Sequence, residues 1–114
     1  MANINEFVDS HLLAAQHDEA GRSSELIAHD GVLRQSVIAL REGARLSAHN
    51  SPPAATIQVL KGRVRVEMGD DVQGEFEEGE LWVLTHQKHS VVAIEDSAFL
   101  LTTVTSTGEP SHAG

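Results

Sequence analysis

Cysteine is absent from the 114-residue chain, which removes disulfides, thiolate zinc centres and cysteine nucleophiles together. That fits a reducing compartment without requiring one. Positive charge is scarce: eight Lys and Arg stand against seventeen Asp and Glu, for a formal net charge of −9. Surfaces that hold nucleic acid need clustered cations to displace counterions, and the few here are scattered, so no nucleic-acid partner is expected. Long apolar runs are missing as well. No stretch approaches the roughly 20 residues that span a bilayer, and the N-terminus lacks the charged and apolar segments of a secretory leader. No membrane partner is expected, and the expected location is cytoplasmic. Phosphate loops, dinucleotide fingerprints and nucleophile elbows are also lacking.

What is present is the composition of one ordinary globular domain, 40% hydrophobic and 22% charged. Residues 1–22 form an N-terminal extension that mixes Asn, Asp and His with Leu12, Leu13, Ala14 and Ala15. A short helix fits there, with Ser10 or Asp9 as N-cap. The default reading is a loosely ordered terminus covering one end of the domain; the alternative is a segment that docks on a partner subunit. From residue 23 to 106 the pattern changes to short β-like runs separated by turn signals. Asp30-Gly31, Glu42-Gly43, Lys61-Gly62, Gly69-Asp70 and Glu78-Gly79 mark turns, and Asn50-Ser51-Pro52-Pro53 excludes a central strand. In Arg63 to Met68, Val64, Val66 and Met68 alternate with Arg63, Arg65 and Glu67. About nine short strands with almost no helix predict an all-β sandwich or closed barrel. Residues 107–114 read as a polar tail.

Two segments carry a family resemblance. Residues 43–62, GARLSAHNSPPAATIQVLKG, are similar to the first cupin motif, and residues 74–89, GEFEEGELWVLTHQKH, to the second. Val59-Leu60-Lys61-Gly62 and Glu78-Gly79-Glu80-Leu81 are the most diagnostic fragments. The resemblance implies a double-stranded β-helix (jelly-roll) barrel, a homodimer, and one divalent transition metal held inside by two histidines and a glutamate of the first motif and a histidine of the second. In this chain His49 and His89 match ligand positions, whereas Ser51 and Ala55 stand where a second histidine and the glutamate belong. Alanine cannot ligate, and a neutral hydroxyl is a poor ligand for a dication. His86, three residues before His89, is a candidate third ligand.

Three readings of His49, His86 and His89 stay open: a metal site, a metal-free pocket in which they anchor a ligand, and core histidines satisfied by backbone groups. The function expected is binding of a small organic ligand in the barrel. His49, His89 and Ser51 supply its polar side, and Ile57, Val59, Val64, Val66 and Val83 its apolar wall. The alternative is a metal-dependent enzyme of the dioxygenase or isomerase type using His49, His86 and His89, with His49 or His89 as general base if catalysis occurs. Strict alternation from an inward Ala55 puts Ile57 and Val59 inside and Gln58 outside. Trp82 is expected in core or interface packing, and Glu75, Glu77, Glu78 and Glu80 on a solvated hairpin face. His11, His17, His29 and His112 are expected on the surface.

Overall fold

In the computed structural model, residues 3–47, 54–84 and 88–105 are described. One helix, α1 (Ile4–His17), precedes nine strands: β1 (Arg22–Asp30), β2 (Leu33–Leu40), β3 (Arg45–Ser47), β4 (Ala54–Lys61), β5 (Arg63–Met68), β6 (Asp71–Glu77), β7 (Leu81–Leu84), β8 (Ser90–Ala93) and β9 (Ser97–Val104). The strands form two sheets, ordered β1-β2-β9-β4-β7 and β3-β8-β5-β6. The antiparallel pairs β2–β9, β3–β8, β4–β7 and β5–β6 are nested one inside the next. The chain is thus a long hairpin centred on the β5–β6 turn, wound so that successive pairs alternate between sheets. That winding is the all-β double-stranded β-helix of a jelly roll.

The turns fall where glycine permits positive φ. Gly31, Gly43, Gly62, Gly69 and Gly79 all adopt it. At Gly62 the fold demands glycine twice over. Its φ is +85°, and a Cβ would come within 2.4 Å of the Asp96 carbonyl oxygen and the Ser97 Oγ. The β4–β5 turn therefore presses directly onto the β8–β9 turn. Buried Ser97 completes the seal: its Oγ accepts from the Arg63 N–H at 2.9 Å and lies 2.7 Å from the Glu95 carbonyl. This end of the barrel is closed.

Between the sheets lies the main core, with Ile38, Leu40, Ile57, Val59, Val64, Val66, Val91, Ala93 and Phe99 buried. β4 and β5 alternate buried and less buried residues, so Ala55, Ile57, Val59, Val64 and Val66 face inward and Gln58 outward. A second cluster lies outside the larger sheet, where Val8 and Ala15 of α1 pack on Val37, Ala39 and Ala98. Apolar residues at 4, 8, 12 and 15 give the helix one buried stripe. β2 is consequently buried on both faces over Val37–Leu40.

Residues 4–17 thus form a helix on a sheet face, in place of a loose terminus over one end of the barrel. The helix also begins earlier than Ser10 or Asp9 predicts. Asn3 is the N-cap, its side chain accepting from the Asn5 N–H at 3.0 Å. Asp9 and Ser10 lie mid-helix because the apolar stripe starts at Ile4, outside the Leu12–Ala15 group that dominated the sequence pattern.

His11 corrects a second expectation. Its side chain is only 13% exposed, with Nδ1 2.7 Å from Ser23 Oγ and Nε2 2.8 Å from Glu25 Oε1. It ties α1 to β1, whereas His17 and His29 are exposed. The outer face of the smaller sheet is ionic: Arg63 meets Glu77 at 2.9 Å, and Glu67 takes both Arg65 at 2.8 Å and Arg45 at 2.9 Å. No helix of the described residues is long and apolar enough to cross a membrane.

Candidate functional site at the barrel mouth

The end opposite the Gly62 seal is the mouth. The β1–β2 and β5–β6 turns lie there, and the connections after β3 and after β7 leave from there. Those connections include residues 48–53 and 85–87, so His49, Ser51 and His86 lie outside the described residues. His112 and the tail from residue 106 do too.

The described part of the mouth is built by strand register. On the larger sheet, Arg34 pairs with Thr103, Thr103 with Ala55, and Ala55 with Leu84. Ile38 and Leu40 face the core on the same strand as Arg34, and the β2–β9 register is uninterrupted. Even-numbered Arg34 and Ser36 therefore take the inward side. One row deeper come Ser36, Leu101, Ile57 and Trp82. On the facing sheet, His89 precedes Ser90; Ser90 pairs with outward Glu67, while Val91 packs in the core. His89 thereby belongs to the inward row, and it is 6% exposed.

Of the candidate residues that can be placed, His89, Ala55, Ile57, Val59, Val64 and Val66 occupy the inner surface, with His89 and Ala55 at the mouth. Ile57, Val59 and Val64 lie in the packed core beneath it. Val83 does not join them. It is 65% exposed and Leu81 60%, while Trp82 and Leu84 pack against the core. The β4–β7 register sets this phase by pairing Trp82 with inward Ile57. Leu81-Trp82-Val83-Leu84 is apolar at every position, so no alternation exists in the sequence to reveal it.

Trp82 stacks on Phe76 with ring centroids 4.9 Å apart and a 32° tilt. Its Nε1 is buried without a hydrogen-bond partner, so packing alone holds the ring. Gly74 makes room for the pair, because a Cβ there would meet the Phe76 ring at 2.8 Å. Arg34 escaped the sequence reading. Its strand, LRQSVIAL, is buried on both faces at its far end, which blurs the period, and its importance rests on register with residues about seventy positions away.

Comparison with solved structures settles the architecture. A cupin superfamily protein from Desulfitobacterium hafniense superposes with a TM-score of 0.67 at 14% identity, over 75% of this chain and 78% of the other. The chain has the cupin fold. KdgF from Halomonas sp. gives a TM-score of 0.64 at 25% identity, over 80% of this chain and 91% of that chain. A variant of salicylate 1,2-dioxygenase from Pseudoaminobacter salicylatoxidans, in complex with gentisate, gives 0.72 at 20% identity. That match covers 87% of this chain but only 32% of the longer enzyme. No protein-family model and no curated protein sequence matches the chain.

The described residues of the mouth do not suit a divalent cation. At the first motif's carboxylate position Ala55 offers a methyl group, and Arg34 brings a positive charge to the same row. Among the described residues no cluster of three or more His, Asp or Glu is arranged to hold a metal. With a methyl group at that position, the Arg34–Thr103–Ala55 row lacks the carboxylate that would offset a dication's charge there.

Proposed function

We propose that this cupin binds a small organic molecule in the mouth of its barrel, with His89 and His49 as polar anchors and Ser51 beside them. The observation that carries the reading is His89 itself. It is a buried imidazole on the inward row of the end opposite Gly62, with Ile57 and Leu101 one row deeper. Such a site, apolar with few polar groups, is the usual form of a small-molecule pocket. The dioxygenase variant that shares this fold over 32% of its own length was solved in complex with gentisate, a small organic molecule, and that likeness supports the reading.

Trp82 provides the test, being the only tryptophan and one row below the mouth. Its emission is recorded while small organic compounds are titrated into the untagged protein, alongside metal analysis of the same sample. A saturable response that His89→Ala abolishes, with metal far below one equivalent, is the expected result. One equivalent of metal that is lost in His49→Ala would overturn the reading and leave the metal-dependent enzyme using His49, His86 and His89.

We also propose a cytoplasmic homodimer. Its support is the uncharged outer strip of the larger sheet, where Leu81 and Val83 stand exposed beside Thr56 and Gln58. On a chain of net charge −9, two copies approach with least repulsion through a face that bears no charge. Sedimentation of the wild type and of Val83→Glu checks this. A monomeric wild type, or a dimer unaffected by the substitution, excludes that face.

A further inference from the structure

We infer that Arg34 is the charged anchor of the mouth and that the ligand is an organic carboxylate, so that this barrel selects an anion where its motifs lead one to expect a cation. The inference rests on the ligand-binding reading above and names the ligand's chemistry.

Three observations converge. The first is the fate of the arginines on the smaller sheet. Arg45, Arg63 and Arg65 all face outward, and each meets a glutamate within 4 Å. Arg41 is held by the carbonyls of Gln16 and Asp18. Arg34 takes the inward side, is half-buried, and meets no carboxylate among the described residues. In a chain with seventeen acidic residues, a half-buried guanidinium with no carboxylate partner among the described residues suits an anionic ligand.

The second observation is what shares its row. Thr103 is its direct cross-strand partner, and Ala55 follows on the next strand, roughly 10 Å from Arg34 at ordinary strand spacing. The row therefore offers a planar five-donor fork and a hydroxyl donor beside a methyl group. A carboxylate above Ala55 restores, as part of the ligand, the negative charge that the protein has given up there.

The third is stoichiometry of charge. One guanidinium and one hydroxyl match a monoanion. A phosphate dianion ordinarily draws several cations or a helix N-terminus, and Arg34 is the one guanidinium of this row among the described residues. The apolar floor beneath, Ile57 and Leu101 with the Trp82–Phe76 pair beside them, suits a hydrocarbon or aromatic body attached to the carboxylate.

The test uses isosteres that differ in charge alone. Benzoate and benzamide, and acetate and acetamide, are titrated into the wild type and into Arg34→Gln and Arg34→Lys, with Trp82 emission and amide NMR shifts as readouts. Phenyl phosphate is a fifth probe. Wild type is expected to favour each carboxylate over its amide by about 10- to 100-fold, the range of a charge-assisted pair. Arg34→Gln is expected to erase that preference while the melting midpoint stays within ordinary surface-substitution limits; Arg34→Lys is expected to keep part of it. Amides binding as well as carboxylates, or an unchanged preference in Arg34→Gln, overturns the inference while leaving small-molecule binding intact. Tighter phenyl phosphate than benzoate overturns the choice of carboxylate. No saturable response to any probe at tens of millimolar overturns the inference and the binding reading together.

Discussion

Substituting Gly62 by alanine tests the claim that the closed end of the barrel is sealed by backbone contact. Two costs are separable there. A non-glycine residue at φ +85° pays about 1–2 kcal/mol for the left-handed backbone. The new methyl group would also lie 2.4 Å from the Asp96 carbonyl oxygen and 2.8 Å from the Ser97 Cα. These are backbone atoms that cannot step aside as the end of a flexible side chain can, so an overpacking cost of about 1–3 kcal/mol is added. Gly79 is the natural control. Its φ is +90° and nothing lies within 4 Å of the Cβ position, so Gly79→Ala pays the backbone cost alone. At roughly 2.1 cal/mol/K per residue, a 114-residue chain loses about 4 °C of melting midpoint per kcal/mol. Gly62→Ala is expected to melt about 8–20 °C below wild type, and Gly79→Ala about 4–8 °C below. Circular-dichroism melts and urea titrations of the three proteins give the comparison. Equal losses in the two variants, with unchanged m-values, would refute the turn-on-turn seal.

Other consequences are simpler to state. Val83→Glu is expected to change the stability of the protomer by less than about 0.5 kcal/mol, because the side chain is 65% exposed. Val64→Ala, fully buried, is expected to cost about 2–3 kcal/mol in urea unfolding; a reversed order would contradict the strand phases. Asn3→Ala removes the acceptor for the Asn5 N–H and is expected to cost about 1 kcal/mol, seen as faster hydrogen exchange in the first turn of α1. Glu67 is held below its ordinary carboxylate value of 4.5, chiefly by the hydrogen bond from Arg65 and then by that from Arg45. The folded state therefore binds this proton less readily than the unfolded state. The stability advantage of wild type over Glu67→Gln is expected to be full above about pH 5.5 and to shrink as pH falls through and below 4.5. A difference that stays constant down to pH 3 would show that the arginine pair does not act on Glu67.

Much of the fold is legible in the chain itself because its signals are local. Five of the six positive-φ glycines sit at turn signals between β-like runs, and the alternation of Val64 and Val66 with Arg63 and Arg65 assigns inside and outside without further information. The same holds for Ala55, Ile57 and Val59, which are buried as their spacing predicts. The failures share one physical cause: more than one surface claims the same residues. Val37–Leu40 are buried on both faces because α1 covers the outside, so their run reads equally as strand or helix. Leu81–Leu84 is apolar throughout although half of it is exposed. His11 looked like a surface residue of a terminus until α1 docked on β1.

The candidate site divides in the same way. His89 carries a mark in the sequence, its place in the second motif, and the structure buries it. Arg34 carries no local mark at all. It acquires meaning only when β9 returns beside β2 and sets Thr103 next to it, with Ala55 beyond.

The sequence by itself therefore determined the all-β class, the turns, the inner phase of the well-alternating strands and the absence of the first motif's carboxylate. These follow from backbone sterics and two-residue periodicity, which act between neighbours. Tertiary structure alone decided where α1 lies, which side of β7 faces water, and that a guanidinium shares the mouth with the alanine. Those depend on contacts between residues tens of positions apart, from 23 for Gln58 with Leu81 to 69 for Arg34 with Thr103, and no local preference encodes such a contact until the barrel closes.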